Sequence, residues 1–363
     1  MGHRCRFFAP NRWANLRAGR PAATRALRPP EYHGQTDMSF VNTNTAQAFA
    51  DLRGAHYTFP RAQKLREGFE WMLTDYWSKA LLGRRFEARG LLVTGPSRTG
   101  KSAEIEHLLA KVNDGETAMP DGRPAKIVSV MLAGTMTWKD LGVHTLREGL
   151  HLPTRGKMTQ TEIWDMVGFQ ARAQGVHGIH YDECQHIFPR KSVEGRAMIL
   201  DSFKSLLKNP DWPLMLVLSG VDELVGHIAS EEQLAYLLRP VQFQEISLQR
   251  SEDRHELNSL CFAYADKAGV DFSGLSTLDF FRRLTCACGN RWGLVIELLI
   301  DACVEAQTAT ATALTPKHFC RAFTARTGLT PGYSPFSIET FEPLFKGEKM
   351  FELWENKRMT AAG

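Results

Sequence analysis

The 363-residue sequence predicts an α/β fold, in which a five-stranded parallel sheet flanked by helices is followed by a small all-helical domain. Two observations predict it. Up to about residue 248, short apolar runs alternate with segments whose apolar residues recur at helical spacing. From about residue 250 the strand signals stop and only helical spacing remains. Strands that alternate with helices are typical of a parallel sheet covered on both faces.

The predicted strands are the apolar runs at 91–94, 127–132, 176–181, 214–218 and 243–248. The near-continuous apolar run at 214–218 fits a strand that is buried on both faces. The helices predicted around the sheet span 61–82, 103–112, 159–175 and 197–209. Four short helices follow within 252–269, 276–289, 291–307 and 315–323, separated by glycines and a proline.

These elements divide the chain into a basic, disordered N-terminal segment (1–50), an α/β domain (51–249), a helical domain (250–327) and a C-terminal tail (328–363). Residues 1–37 contain seven arginines and no lysine. This composition fits a transit peptide, a basic arm that touches nucleic acid, a disordered tail, or sequence translated ahead of a start at Met38. We interpret the tail as extended, ending in a helix at 348–358.

Composition excludes several function classes. Hydrophobic residues make up 43% and charged residues 23% of the chain, and no apolar run is long enough to cross a bilayer, so no membrane partner is expected. The net charge of +4 permits contact with nucleic acid without indicating it. Seven cysteines without a CxxC pair suggest reduced thiols and a cytoplasmic protein.

A phosphate-binding loop follows the first predicted strand. The segment GPSRTGKS has the spacing G-x-x-x-x-G-K-[ST] of a P-loop, and it comprises Gly95, Pro96, Ser97, Arg98, Thr99, Gly100, Lys101 and Ser102. Glycines let the backbone N–H groups of such a loop point at phosphate oxygens. Lys101 would reach the β- and γ-phosphates and the Ser102 hydroxyl would bind Mg²⁺, whereas the pattern assigns Arg98 no role of its own. ATP and Mg²⁺ are therefore the expected ligands.

An acidic pair ends the third predicted strand. Asp182 would hold Mg²⁺ together with Ser102, and Glu183 would orient and deprotonate the attacking water. Loops at the carboxyl ends of neighbouring parallel strands share one crevice, so these residues are expected to meet the P-loop despite about eighty intervening residues. The alternative is a surface pair at a turn.

Three further residues are candidates for the same site. Ser219 ends the fourth predicted strand and would lie near the γ-phosphate, unless it only closes a turn. Arg239, just before the last predicted strand, could project into the site of a neighbouring subunit. Arg291, near a helix start in the helical domain, could fold back onto the phosphates. The alternative for each arginine is an ordinary surface position.

Four residues near the acidic pair have the side chains that bind zinc, namely His177, His180, Cys184 and His186. His177 and His180 are three residues apart on a predicted strand, so they would face opposite sides of the sheet. Partly buried histidines are therefore the favoured interpretation.

Along the chain come a P-loop, an acidic pair, a polar residue that ends the next strand, an arginine near the fifth strand, and a helical lid with its own arginine. Motifs in this order resemble those of AAA+ ATPases. Over about 55–335, the chain most resembles the TniB/TnsC family of bacterial transposition ATPases, through HYDECQHIF, LVLSGVDEL, LRPVQFQEISL, CGNRWGLVIELLIDA and YSPFS. By this resemblance, Lys101, Ser102, Asp182 and Glu183 match the nucleotide and catalytic residues, and Arg239 matches an inter-subunit arginine. His180 and Tyr181 depart from the pattern, because aliphatic residues usually precede the acidic pair.

The resemblance implies an ATP-dependent regulator in the bacterial cytoplasm. Such proteins assemble on double-stranded DNA without sequence preference, as a ring or helical filament, and they recruit or activate a transposase together with a target-selection protein. Candidate DNA contacts are three basic groups, Arg53/Arg61/Lys64/Arg66, Arg84/Arg85/Arg89 and Arg190/Lys191. The alternatives are another AAA+ or STAND-type ATPase, such as a replication-initiator or loader relative or a secretion-associated ATPase, and a nucleotide-dependent scaffold with negligible turnover.

Overall fold

The computed structural model describes residues 40–132, 134, 136–153, 157–188, 192–342 and 345. The basic segment 1–37, the pair Arg190/Lys191 and the predicted helix at 348–358 lie outside the described residues.

The sheet has five parallel strands, as the sequence predicts. They are β1 (Gly90–Thr94), β2 (Ile127–Met131), β3 (Gly178–Asp182), β4 (Met215–Gly220) and β5 (Leu238–Gln242). Their spatial order is β2-β3-β4-β1-β5, and every neighbouring pair is parallel. Strands β1, β3 and β4 are buried along their whole length. Because the strands are parallel, the loops that follow β1, β3 and β4 open on the same edge of the sheet, which we call the carboxyl edge.

The prediction of the fifth strand at 243–248 is wrong, because β5 is Leu238–Gln242. Phe243 still donates its N–H to the carbonyl of Thr94, and the chain then leaves the sheet. Ile246 is buried in a different core, among helices, and its N–H bonds to the carbonyl of Asn290. Pro240 lies within β5, which is possible because β5 is an edge strand and a missing N–H is tolerated there.

Twelve α-helices occur in the described ranges. Around the sheet they are α1 (Thr43–Arg53), α2 (Gln63–Ala80), α3 (Lys101–Val112), α4 (Trp138–His144), α5 (Gln160–Gln174), α6 (Val193–Leu207), α7 (Glu223–Ala229) and α8 (Glu232–Leu237). The helical domain contains α9 (Ser251–Ala268), α10 (Leu278–Ala287), α11 (Trp292–Thr308) and α12 (Pro316–Thr327). Of the helices described, none combines the length and the apolar character that a membrane span requires.

Two hydrophobic cores lie in this part of the chain. One surrounds the sheet and the other lies among the helices α9–α12. The second core also contains Leu52 of α1, together with Phe336 and Phe341 of the tail. Residues 43–50, predicted to be disordered, are thus helical, and the tail up to about residue 342 packs on the helical domain. Arg283 fixes it further by donating to the carbonyls of Pro335 and Ile338, at 2.6 and 2.7 Å.

Candidate nucleotide-binding site

The P-loop depends on two glycines for its shape. Gly95 follows β1 with φ +145°, and a Cβ there would lie 2.2 Å from the carbonyl oxygen of Phe243. Gly100 has φ +93° and precedes the first residue of α3. Backbone torsions of this kind are costly for any residue with a side chain. The sequence Gly-x-x-x-x-Gly therefore sets both where the chain leaves the sheet and where the helix begins.

We expect Gly95→Ala to destabilise the fold by at least about 3 kcal/mol, because backbone strain and overpacking add. The measurement is the free energy of unfolding in urea. Gly115→Ala is the matched control, since Gly115 has φ +95° with no atom within 4 Å of a Cβ. Gly115→Ala should lower the free energy of unfolding by only about 1 kcal/mol, because it adds backbone strain without a steric clash. Equal losses in the two variants would show that the contact with Phe243 is not tight.

Lys101 begins α3 and its ammonium group lies inside the loop. Its Nζ donates to the carbonyls of Gly95 (2.8 Å) and Pro96 (2.9 Å), and the residue is only 6% exposed. Burial lowers the pKa of Lys101, while the carboxylates of Glu183 and Asp182 oppose that shift. The lysine charge is thus held at the carboxyl edge, facing the acidic pair.

Ser102 and Asp182 meet at the carboxyl edge of the sheet, where β4 lies between β1 and β3. The Ser102 hydroxyl donates to Oδ2 of Asp182 at 2.7 Å, although the residues are 80 positions apart. Burial would raise the pKa of Asp182, but hydrogen bonds from Ser102 and Ser219 outweigh it and the pKa is lowered. An ionised carboxylate and a hydroxyl therefore lie side by side at the end of the P-loop.

Glu183 leaves β3 in an unusual backbone conformation. Its φ is +59°, in the left-handed region that residues with side chains rarely adopt. The carboxylate accepts a hydrogen bond from Nε2 of Gln185, and Nε2 of His186 lies 3.7 Å from it. The Gln185 amide oxygen accepts the N–H of Val221, just after β4 (3.2 Å). Sequence reasoning missed Gln185, because nothing in its spacing marks it as a link between two strand ends.

Ser219 is fully buried at the end of β4 and does not stand alone. Its hydroxyl lies 2.5 Å from Oδ1 of Asp182 and 2.7 Å from Nε2 of His180. Burial lowers the pKa of His180 to about 4, so the imidazole is neutral at neutral pH. The structure thus places Ser219 against the aspartate.

The remaining residues of the P-loop have separate surroundings. Pro96 and Ser97 line a cavity of about 500 Å³ together with residues of the β3 and β4 loops, among them Gln185, His186 and Asp222. The Thr99 hydroxyl donates to the carbonyl of Pro96 at 2.9 Å.

Arg98 and Arg291 connect the loop with the helical domain. The carbonyl of Arg98 accepts the N–H of Gly293 at 2.9 Å, and its guanidinium pairs with Glu297 of α11 at 3.1 Å. Arg291 precedes α11, lines the same 500 Å³ cavity and pairs with Glu245. The structure therefore brings Arg291 to the crevice and ties the tip of the P-loop to α11.

Arg239 lies apart from this cluster. It is an exposed residue inside β5, not before the last strand as the sequence suggested, and its guanidinium lies 5.4 Å from the Trp71 ring of α2. Its partner in β1 is Leu91, at the start of that strand rather than at the carboxyl edge. Within one chain, Arg239 does not join the other candidate residues.

Arg61 was predicted as a possible DNA contact, and the structure contradicts this. Its guanidinium packs over the rings of Phe59 (4.1 Å) and Trp292 (4.8 Å) and donates to the carbonyl of Thr99 at 3.1 Å. Burial lowers its pKa to about 10, and the nearby Glu256 opposes that shift. An arginine in a basic group reads as a surface residue from sequence alone. In the structure, Arg61 instead packs among aromatic rings and hydrogen-bonds to the backbone of the P-loop.

Glu256 of α9 gives a prediction on pH. Burial raises its pKa to about 7 from 4.5, so its proton is bound more tightly in the folded chain, and stability is lost as pH rises through that interval. We expect Glu256→Gln to remove this loss. The free energy of unfolding of the variant minus that of the parent chain should rise by up to about 3 kcal/mol between pH 5 and pH 8. Unfolding in urea at both pH values measures it. Glu252→Gln, exposed on the same helix, should show no such difference, and an equal effect of both would contradict the assignment.

The residues considered for zinc have separate partners. His180 bonds to Ser219 and to Ser129, and Nε2 of His177 lies 3.4 Å from Asp121. The Cys184 thiol donates to the carbonyl of Tyr181. Within the described residues, no group of three or more such side chains is arranged to hold a metal ion.

Comparisons with known proteins agree with this architecture. A family model described as "AAA domain" matches residues 84–227, which include the P-loop and the acidic pair. A search of the curated proteins finds no match.

Several solved structures are similar in fold. Cdc6p from Pyrobaculum aerophilum has a TM-score of 0.54 at 12% identity, covering 75% of this chain and 69% of its own. The Aeropyrum pernix ORC2 protein, solved as ADPNP–ADP complexes, scores 0.52 at 13% identity (76% and 71% covered). The ORC1 protein of the same organism, solved in complex with DNA, scores 0.52 at 14% (77% and 69%). With its five-stranded parallel sheet, P-loop and helical C-terminal region, the chain has the AAA+ P-loop fold.

Proposed function

We propose that this chain is an ATPase, and that it acts as an ATP-dependent, oligomerising regulator of DNA transposition on double-stranded DNA. The observation that carries the ATPase part is the 2.7 Å contact between Ser102 and Asp182. It joins a P-loop to an acidic pair at one edge of the sheet, which is the arrangement that phosphoryl transfer from a nucleotide requires.

The P-loop supplies the phosphate site. In a P-loop the backbone N–H groups point at the phosphates, so those of Gly95–Ser102 and the positive end of α3, which begins at Lys101, would hold the triphosphate here. Lys101 would exchange its bonds to the loop carbonyls for the β- and γ-phosphate oxygens. This exchange needs little movement, because the ammonium group is already inside the loop. Arg291, at the rim of the same cavity, would contribute positive charge from the helical domain.

Ser102 and Asp182 fit a magnesium site. Mg²⁺ prefers hard oxygen ligands, commonly one or two from the protein with the rest from phosphate and water. The ionised Asp182 and the adjacent Ser102 hydroxyl are such ligands. When bound, the ion neutralises the charge of the phosphates. The chain's part is to hold these two oxygens together before nucleotide arrives.

Glu183 is the proposed general base. It follows Asp182 directly at the end of β3, and Gln185, which lines the cavity, donates a hydrogen bond to its carboxylate. A carboxylate so placed can orient water for in-line attack on the γ-phosphate and accept its proton. Gln185 ties the position of this carboxylate to the loop after β4.

The part on DNA and transposition rests on the family resemblance and on weaker structural support. One similar structure, the ORC1 protein, was solved in complex with DNA, and the likeness to it is one of fold. Arg53, Lys64, Arg84 and Arg85 are exposed and could follow a phosphate backbone, whereas Arg89 donates to the carbonyl of Tyr236 at 2.7 Å. The transposase, the target-selection protein and the ring or filament are implied by the resemblance alone.

A second candidate is a replication-initiator or loader relative. It is favoured by the names of the similar structures, Cdc6p and ORC proteins, and it would use the same nucleotide site. The two candidates differ in the partner, because only the first requires a transposase.

The ATPase rate with and without double-stranded DNA, at low and high salt, tests the proposal. We expect DNA of any sequence to raise the rate at low salt, and the stimulation to fall steeply at high salt because phosphate contacts dominate such binding. Electron micrographs with ATP and DNA should show rings or filaments, and addition of the candidate transposase should change its activity. Turnover unaffected by DNA at either salt would refute the DNA part and leave the ATPase part standing.

Arg239 is proposed to act in a neighbouring subunit. We expect Arg239→Ala to lower turnover by about 10³-fold in the assembled protein and to leave the basal rate of dilute monomer unchanged, since a transferred arginine contributes about that much. The rate as a function of protein concentration measures this. Arg147→Ala, an exposed arginine outside the three basic groups, serves as the control. An equal loss in dilute monomer would point instead to a structural role on Trp71.

A further inference from the structure

Four polar side chains form one continuous hydrogen-bonded chain across three adjacent strands. Ser129 on β2 lies 2.9 Å from Nδ1 of His180 on β3, and Nε2 of His180 lies 2.7 Å from the hydroxyl of Ser219 on β4. That hydroxyl lies 2.5 Å from Oδ1 of Asp182. Parallel register brings Ser129 directly opposite His180. His180 and Ser219 are 1% and 0% exposed.

The direction of each hydrogen bond follows from counting donors. An ionised carboxylate only accepts, so the single hydrogen of Ser219 is donated to Asp182. The Ser219 oxygen is then free to accept, and Nε2 of His180, 2.7 Å away, is placed to donate to it. His180 therefore carries a hydrogen on Nε2, and its Nδ1 lies within hydrogen-bond distance of the Ser129 hydroxyl.

This chain leaves the two oxygens of Asp182 with different partners. Oδ1 accepts from Ser219 and from the N–H of Glu183, at 2.5 and 2.9 Å. Oδ2 accepts from the Ser102 hydroxyl at 2.7 Å. Fixing one oxygen of a carboxylate on the protein turns the other towards the nucleotide, and such outer partners orient metal ligands.

We propose that His180 is a positioning residue, which holds the Ser219 hydroxyl on Oδ1 of Asp182 and so presents Oδ2, with Ser102, as the magnesium-binding edge. The proposal rests on the proposed ATPase function. Ser219 then serves the carboxylate, and its hydrogen is not free for the γ-phosphate as its sequence position suggested. The contact with Nε2 of His180 is what commits Ser219 to this task.

The test is binding of a fluorescent ATP analogue as a function of Mg²⁺, and again in EDTA. We expect His180→Leu to raise the Mg²⁺ concentration for half-maximal effect by about 10-fold or more, the loss typical of removing an outer-shell partner. Affinity in EDTA should stay within about twofold, because the P-loop backbone is untouched. His180→Gln, whose amide can still donate to Ser219, should recover most of the Mg²⁺ response.

Thr145→Val is the matched control for a structural effect. Thr145 is buried, and its hydroxyl lies 2.9 Å from that of Tyr181, which neighbours His180 on β3 and is not one of the four side chains of the hydrogen-bonded chain. It should lower the melting temperature and leave the Mg²⁺ response at the parent value. Ser219→Ala, a smaller change, should shift the Mg²⁺ response as His180→Leu does, and it decides the matter if the leucine variant fails to fold.

Two results would overturn the inference while the proposed function stands. One is a parent-like Mg²⁺ response in His180→Leu, or in Ser219→Ala where that variant decides. The other is a shift in the Mg²⁺ response that Thr145→Val reproduces, or a loss of analogue affinity that is equally large in EDTA. If the parent chain itself shows no Mg²⁺-dependent binding of the analogue, the proposed function fails, and the inference with it.

Discussion

Lys101→Ala is expected to weaken ATP binding by about 100-fold or more, because a charge-assisted contact to two phosphates is lost. The ammonium group lies inside the loop, bonded to the carbonyls of Gly95 and Pro96, so the alanine removes the positive charge from within the loop itself. Any assembly that depends on ATP should be lost as well. Isothermal titration with ATP and Mg²⁺ measures the affinity, and light scattering follows the assembly.

The matched control is Lys111→Ala. Lys111 lies on the same helix, α3, and is exposed, so its removal changes the net charge equally without touching the loop. Its ATP affinity should stay within about twofold of the parent, since exposed charges contribute little. Tight ATP binding by Lys101→Ala, or an equal loss in both variants, would show that the triphosphate lies elsewhere.

Glu183→Gln is expected to lower ATP turnover by at least about 100-fold while ATP binding survives, because an amide of the same shape cannot accept the proton. The side chain still fits its place beside Gln185, so the fold and the phosphate site should be unchanged. Phosphate release under saturating ATP measures turnover, and titration with ATP measures binding in the same preparation.

Glu223→Gln provides the comparison for Glu183. Glu223 is exposed and lines the cavity of about 500 Å³ beside Pro96 and Ser97. Its turnover should match the parent. A rate in Glu183→Gln equal to that of the parent would refute Glu183 as the base. If the parent itself shows no turnover, the chain is a nucleotide-dependent scaffold rather than an enzyme.

Much of the sheet and the heart of the site could be predicted because short-range patterns determine them. The P-loop spacing fixed the place of Gly95 and Gly100, and both have the left-handed torsions that the motif requires. The meeting of Ser102 with Asp182 followed from topology alone, since parallel strands deliver their ends to one edge.

The features that escaped prediction depend on contacts between distant segments. The run 243–248 has apolar residues at strand-like spacing, yet Phe243 serves the sheet core and Ile246 the helical core, so the strand ends at Gln242. The burial of Arg61 against Trp292 joins segments more than two hundred residues apart. The partners of Ser219 depend on the register of β3 and β4, which no single-strand pattern contains.

The most direct measurement is a structure of the Glu183→Gln variant with ATP and Mg²⁺. The triphosphate should lie along the backbone of Gly95–Ser102 with Lys101 on its β- and γ-phosphates, and the ion should lie between the Ser102 hydroxyl and Oδ2 of Asp182. A triphosphate bound away from this loop, or an ion held by other residues, would contradict the account.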